Sequence, residues 1–427
     1  MPRCIALTDV QAARQRIQDV IYHSPCPYSL SLSRLCGCEI YCKLDHLQMT
    51  GSFKERGARN KLKLILESGR PEGVITASAG NHALALAYHG KTLGIPVTVV
   101  MPKWAPIVKV ANCRSFGADV ILHGESYNDA KAHALKLADE QKLTFIHGFN
   151  DRDIIAGQGT LGLEILEDVP DADAVIVPVG GGGLIAGIAT AIKGLRPSVR
   201  IIGAEPKCAP TLCESVNRGQ VTLIKPQPTL ADGLAIAEVG PLCFDIARDL
   251  VDEIVLVDEQ QIASAILRLL ELEKMVLEGA GATPLAAALA LSRSAEGELP
   301  LFEIQKNPSA FRIAGKKVVL VLSGGNIDVT LISRIIERGL AAEGRLCRVF
   351  ASISDRPGSL ARFLAVIAET GASIKEVSHD RSFGPADVAR VGVSVIMETR
   401  DFEHIEEIHQ TLRNANIGFT PSPAPAS

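Results

Sequence analysis

Six consecutive apolar residues, Ala174-Val-Ile-Val-Pro-Val179, run straight into four glycines, Gly180 to Gly183. An uninterrupted apolar run of this length reads as a strand buried on both faces, and such strands belong to parallel sheets covered by helices. The pattern recurs along the chain. Strands are predicted at 39–44, 73–77, 96–101, 119–122, 143–146, 200–205 and 317–322. Helices are predicted at 12–22, 61–67, 83–93, 108–116, 126–141, 158–167, 184–195 and 260–278. Strand–helix alternation of this kind means an α/β fold with right-handed crossovers.

Ligands in open α/β sheets bind beyond the carboxyl ends of the strands. Three predicted strand ends carry small polar or glycine loops: Ser78-Ala79-Gly80-Asn81-His82, Gly180 to Gly183, and Ser323-Gly324-Gly325-Asn326. The four-glycine loop lets backbone N–H groups approach a phosphate closely, and the helix start that follows adds positive potential. No Gly-Lys-Ser/Thr closes it, so it is not a nucleotide P-loop, and it lacks the spaced dinucleotide fingerprint. A single phosphate fits it; a tight structural turn is the plainer alternative.

A second stretch is Thr50-Gly51-Ser52-Phe53-Lys54-Glu55-Arg56-Gly57-Ala58. Ser52 is a fair helix N-cap, which would put Lys54 in the first turn with its amine at the positive end of the helix. That placement disfavours the ammonium form, and a lysine is a nucleophile only as the free amine. A solvated surface lysine is the alternative. A lysine able to form an imine, combined with a cradle for one phosphate, points to pyridoxal 5′-phosphate. Ser323 offers the pyridine nitrogen a hydroxyl, Asn326 is a capping side chain, and Asn81 is within the loop that would reach the ring hydroxyl.

Composition narrows the classes of function. The chain has 427 residues, 47% hydrophobic and 22% charged, with a net charge of −4 and 4% aromatics. Nothing here argues for nucleic acid or an anionic membrane surface. No secretory signal and no membrane span are read, and a cytoplasmic location is expected. The ten cysteines include Cys36, Cys38 and Cys42, but no second Cys/His group follows them, so reduced thiols are expected rather than zinc.

Seven motifs taken together resemble the threonine dehydratase (threonine ammonia-lyase) and serine racemase group of fold-type II pyridoxal-phosphate enzymes, which are tryptophan synthase β-like. They are Ser52-Phe53-Lys54 with Arg56-Gly57-Ala58, Ser78 to His82, Gly157-Gln158-Gly159-Thr160, Gly180 to Leu184, Ala231-Asp232-Gly233, Glu278-Gly279-Ala280 and Ser323 to Asn326. The resemblance implies a catalytic domain over 1–330, with a smaller parallel-sheet subdomain at about 48–146 inserted in a larger one. It implies that Lys54 carries the cofactor and removes the substrate α-proton, and that Phe53 backs the ring. It implies that Gly180, Gly181, Gly182, Gly183 and Leu184 hold the phosphate, that Asn81 meets the ring hydroxyl and that Ser323 meets the pyridine nitrogen. Ser78, Ala79, Gly80 and His82 would hold the substrate carboxylate.

Two departures choose within the group. Racemases of this group carry a second serine where this chain has Ala79, which cannot deliver a proton from the opposite face. They also carry a divalent-cation site that begins at a Glu-Pro, with a carboxylate six residues on. Here Glu205-Pro206 is present but the sixth residue on is Thr211. Glu205 and Ala209 remain candidate ligands for a monovalent cation only, because hard divalent ions want several oxygens.

After about Gly344 the pattern changes. Strands at 346–354, 372–380 and 391–398 alternate with helices at 360–369 and 404–414, a ferredoxin-like β-α-β-β-α-β order over 346–420. Residues 331–345 read as a linker and 421–427 as a disordered tail. The module resembles an ACT domain. Asp355, Gly358, Ser359 and Leu360, in Asp355-Arg356-Pro357-Gly358-Ser359-Leu360, would receive a branched-chain amino-acid effector, or the module would serve assembly into a homodimer or homotetramer. The activity implied is L-threonine dehydration with L-serine as a second substrate, in amino-acid metabolism such as isoleucine biosynthesis. Alternatives are a 3-hydroxyaspartate dehydratase, a serine racemase-like enzyme and an amino-acid sensor without activity.

Overall fold

The computed structural model describes residues 4–69, 71–293, 301–303, 312–381, 387 and 389–421. The chain divides into two compact units, Met1–Ile327 and Asp328–Ser427. Of residues 421–427, read as a disordered tail, Pro421 ends the strand Phe419–Pro421 paired to Val349, and 422–427 lie outside the described residues.

The first unit is built on two sheets. The larger has seven strands in the spatial order Tyr28–Ser29, Glu39–Lys43, Lys317–Val321, Ala174–Pro178, Arg200–Pro206, Glu253–Val257 and Leu301–Glu303. Its five inner strands are parallel, and only the two short edge strands run antiparallel. The smaller sheet is parallel throughout, in the order Asp119–Leu122, Val97–Met101, Val74–Ala77 and Thr144–Phe145. The two have separate cores. Val175, Val177, Ile185, Ile188, Ile201 and Ile254 belong to the large one, and Val74, Leu86, Val97, Val99 and Met101 to the small one. This is the α/β architecture that the resemblance to fold-type II enzymes implies.

The helix that carries Lys54 was expected at 61–67 with Ser52 as its cap. It spans Lys54–Glu67 and starts seven residues earlier, with Phe53 at the cap position and no side-chain cap. Ser52 cannot cap it because its backbone is committed elsewhere. Ser52 bridges Gly324, Phe53 N–H donates to the Ser323 carbonyl (3.0 Å), and Gly325 N–H donates to the Gly51 carbonyl (2.9 Å). Gly57 lies inside this helix, where a Cβ would meet the Ile154 carbonyl at 2.9 Å. The helix Arg152–Asp168 is seated that closely against it.

A buried ionic cluster fixes the same pair of helices. Arg56 is fully buried and forms a fork to Asp45 (2.8 and 2.7 Å) and to Glu164 (2.6 and 2.9 Å). Lys43 Nζ lies 2.8 Å from both Glu164 and Asp168. Every carboxylate removed from water in this cluster meets a cation, the condition under which such burial is tolerated.

Other expectations change at helix ends. The helix expected over 260–278 ends at Glu273, because Lys274 adopts a left-handed conformation (φ 59°), and the next helix, Gly279–Arg293, begins only after residue 278. Glu278 therefore lies between helices. The first helix is Leu7–Ile17 rather than 12–22.

In the second unit, residues 331–345 are not a linker. Val329–Ala342 is a helix, capped by the Asp328 carboxylate on Thr330 N–H and burying Ile335. An antiparallel sheet follows in the order Ser373–Asp380, Arg390–Glu398, Leu346–Ser354 and Phe419–Pro421. The helices Ser359–Ala368 and Phe402–Asn414 complete the β-α-β-β-α-β order. Among the described residues no helix is long and apolar enough to cross a membrane.

Candidate active site

The strand ends of the first unit bring together residues far apart in the chain. Lys54 opens its helix and is half-buried, and its Nζ donates to the Gly148 carbonyl at 2.8 Å. The amine lies 5.1 Å from the centre of the Phe53 ring. Burial pushes its pKa down to about 8, against the pull of the neighbouring Cys243 and Glu278. Desolvation, rather than the helix dipole alone, is the larger cause of this shift.

The glycine loop is a backbone concavity. Gly182 has φ +88° and stands at the cap of the helix Gly183–Leu195, which has no side-chain cap. A Cβ on Gly181 would run into the Phe149 ring, and one on Gly183 would come within 3.0 Å of Phe149 Cβ. Gly180 would meet Leu234 Cα at 3.0 Å. Side chains are thus excluded from the loop, and the first amides of a buried helix are left to a ligand. Gly148 and Phe149 link the loop to Lys54.

Asn81 begins the helix Asn81–Leu93. Its Nδ2 donates to Glu278 Oε1 (2.8 Å), and its Oδ1 accepts from Asn326 Nδ2 (2.9 Å), which also donates to the Thr50 carbonyl (2.7 Å). Three separate stretches, Thr50–Lys54, Asn81 and Ser323–Asn326, are therefore joined directly. Ser323 is 2% exposed. Ser78 Oγ accepts from Gly80 N–H (3.2 Å), and Ala79 and Gly80 complete the turn into the helix.

Two histidines border Lys54 and neither carries charge at neutral pH. Burial pushes His82 down to about 3 and His147 down to about 4, and Lys54 adds to both shifts. His147 Nδ1 accepts from Phe149 N–H (3.3 Å) and Asn150 N–H (3.1 Å), which leaves its proton on Nε2. His82 Nδ1, Ser52 Oγ and Thr50 Oγ1 are buried with no hydrogen-bond partner among the described residues. Unpaired buried polar atoms beside a lysine and a backbone cradle are what a site for a polar cofactor leaves behind. The residues present fit pyridoxal phosphate: an amine of lowered pKa, a side-chain-free phosphate cradle and orphaned buried polar groups on the stretches that carry Lys54 and Asn81.

The chain matches the model of the pyridoxal-phosphate dependent enzyme family over residues 17–301. It belongs to that family. An L-threonine ammonia-lyase of Thermotoga maritima is 43% identical over 408 residues, which is 96% of this chain and 97% of that protein. A catabolic L-threonine dehydratase of Escherichia coli is 42% identical over 331 residues, 78% of this chain and 96% of its own. Among solved structures, tomato threonine deaminase isoform 2 has a TM-score of 0.70 at 35% identity, covering 78% of this chain and 86% of its own. Maize serine racemase has a TM-score of 0.71 at 33% identity, covering 79% and 98%. This pyridoxal-phosphate family member thus shares its large unit with both dehydratases and racemases.

Glu205 and Ala209, the candidate cation ligands, are engaged by the fold itself. The Glu205 carboxylate accepts from Leu212 N–H (2.8 Å) and Cys213 N–H (2.9 Å) and so caps the helix Thr211–Arg218. The Ala209 carbonyl accepts from Thr211 N–H at 2.9 Å. Among the described residues no group of three or more His, Cys, Asp or Glu could hold a metal ion. In the second unit, Asp355 faces Arg381 (3.0 Å), Gly358 (φ +85°) caps the helix begun by Ser359, and Leu360 packs onto the small core there.

Sequence reading assigned no role to Gly148, Phe149, His147 or Cys243. None lies in a motif, and only the chain path brings them to Lys54. Glu278 stood in a motif but had no role, since it was read as the end of a long helix.

Proposed function

We propose that the chain is a pyridoxal-phosphate-dependent L-threonine ammonia-lyase that also accepts L-serine. The observation that carries this is the half-buried Lys54 amine, lowered to about 8, set beside a side-chain-free phosphate cradle. Relatives at 42–43% identity that are named for threonine support the substrate.

When bound, pyridoxal phosphate supplies an electron sink for negative charge on the substrate α-carbon. The remaining tasks fall on this chain. The amides of Gly180, Gly181, Gly182, Gly183 and Leu184 bind the phosphate. Phe53 backs the ring, Asn81 meets its hydroxyl and Ser323 offers the ring nitrogen an uncharged partner. Ser78, Ala79, Gly80 and His82, at the start of a helix, hold the substrate carboxylate by hydroxyl and backbone contacts. Lys54 as the free amine removes the α-proton. The β-hydroxyl leaves as water, and the released enamine tautomerises and is hydrolysed to ammonia and a 2-oxoacid. Threonine gives 2-oxobutyrate and serine gives pyruvate. Ala79 has no proton to deliver to the other face, which favours elimination over racemisation.

The neutral histidines favour threonine over 3-hydroxyaspartate. A second substrate carboxylate would want a cation, and burial keeps His82 and His147 uncharged. For the second unit we infer an ACT-type regulatory role. Isoleucine or valine would bind near Asp355, Gly358, Ser359 and Leu360, in a cytoplasmic homodimer or homotetramer that serves isoleucine formation. The likeness to the Thermotoga relative reaches well into this unit.

The test is ketoacid release by the purified, cofactor-loaded protein from L-threonine, L-serine and L-threo-3-hydroxyaspartate, each with and without isoleucine or valine. Threonine should be fastest, with its rate altered by a branched-chain amino acid. Hydroxyaspartate as the best substrate would replace this reading.

A further inference from the structure

Asn81 is held by two partners, and the chemistry of each decides which way its amide points. The Thr50 carbonyl can only accept, so the Asn326 group facing it at 2.7 Å is the NH2. The second hydrogen of that NH2 reaches Asn81 at 2.9 Å, and the Asn81 group there must be the oxygen. The Asn81 NH2 is then turned to Glu278 Oε1 at 2.8 Å. One of its hydrogens is used there and the other has no partner among the described residues. The relay is built into the backbone. Three glycines make room for it: a Cβ on Gly51 would meet Asn326 Oδ1 at 2.6 Å, one on Gly324 would strike Glu278 Oε1 and approach Asn81 Nδ2 to 3.2 Å, and one on Gly281 would strike the Gly324 carbonyl. Glu278 N–H in turn donates to the Gly324 carbonyl at 3.2 Å.

We infer that Glu278 is a positioning residue: with Asn326 it locks the Asn81 amide so that a hydrogen-bond donor, and never an acceptor, is offered to the cofactor's ring oxygen. The inference rests on the pyridoxal-phosphate reading of the site. A fixed donor favours the deprotonated ring oxygen, because a hydroxyl would need an acceptor in return. Glu278 also places a carboxyl group next to the ring's partner. The charged groups around it are Asp232, Lys109 and Lys54, and Lys109 is paired with Asp232 at 2.8 Å. Burial raises the Glu278 carboxyl to about 7, so its charge changes within the working pH range.

The test uses the full chain and two readouts besides turnover: affinity for added pyridoxal phosphate, and the pH midpoint of the bound cofactor's visible absorbance. Glu278→Ala removes the acceptor and should weaken cofactor binding by ~10-fold, the scale of one hydrogen bond to a charged group. Glu278→Gln keeps an acceptor oxygen without the charge. It should restore affinity to within about threefold of the wild type, yet move the absorbance midpoint to lower pH, because a nearby negative charge is gone. Asn326→Leu, which frees the other side of Asn81, should weaken cofactor binding as Glu278→Ala does. If all three variants keep the wild-type midpoint and affinity, or merely melt at lower temperature, the positioning role is overturned while the cofactor reading stands. If the wild type itself shows no visible band with pyridoxal phosphate, both are overturned.

Discussion

At the scale of single residues, the chemistry depends on how far burial moves one amine. Lys54 is lowered from 10.5 to about 8. At pH 7 about one amine in ten is then free, against roughly one in three thousand for an ordinary lysine. The group loses its proton earlier folded than unfolded. Stability linked to it is therefore lowest below pH 8 and rises with pH between about 8 and 10.5. Stripped of cofactor, the protein should take up pyridoxal phosphate at a rate that climbs with pH to about 8 and then levels. Stopped-flow absorbance measures this, and a rate still climbing toward 10.5 would mean an exposed, ordinary lysine. The depressed amine was legible from the motif, but its main cause was not. Sequence offered a helix end, whereas the structure adds desolvation by burial, which depends on how the chain folds around the amine.

At the scale of elements, the strands and their glycine loops were legible because apolar runs ending in small residues have few other solutions. Helix starts were less so. Gly57 stood inside the lysine motif with no reason given for a glycine, and the close approach of the Arg152–Asp168 helix explains it. The long run after Glu259 hid a left-handed turn at Lys274, and with it the release of Glu278 toward the site. The cluster of Arg56, Asp45 and Glu164 was invisible for the same reason, since its members are distant in sequence. It holds the Lys54 helix in place two residues from the amine. Arg56→Met leaves the buried Asp45 without a cation and Glu164 with Lys43 alone, and should cost roughly 3–5 kcal/mol, read as a lowered denaturant midpoint. A loss below about 1 kcal/mol would mean that the cluster is solvated.

At the scale of the whole molecule, the chain joins a catalytic unit to a small antiparallel unit with its own core of Val349, Phe363, Val393, Val395 and Ile408. The Escherichia coli dehydratase matches 78% of this chain with 96% of its own length, so a catalytic unit of this kind occurs without that module. A chain ending at Ile327 should still turn over threonine, within about threefold by analogy with unit-by-unit stability, but should no longer respond to isoleucine or valine. Steady-state rates with and without effector check this, and a retained response would move the effector site into the first unit. The central claim concerns that first unit alone. Its most direct test is 2-oxobutyrate formation from L-threonine by cofactor-loaded wild type and Lys54→Ala, with the visible spectrum recorded on the same samples. The account predicts a visible band and rapid 2-oxobutyrate release for the wild type, and loss of both in Lys54→Ala. A wild type that shows the band but releases no 2-oxobutyrate, or a Lys54→Ala variant that keeps full activity, would contradict it.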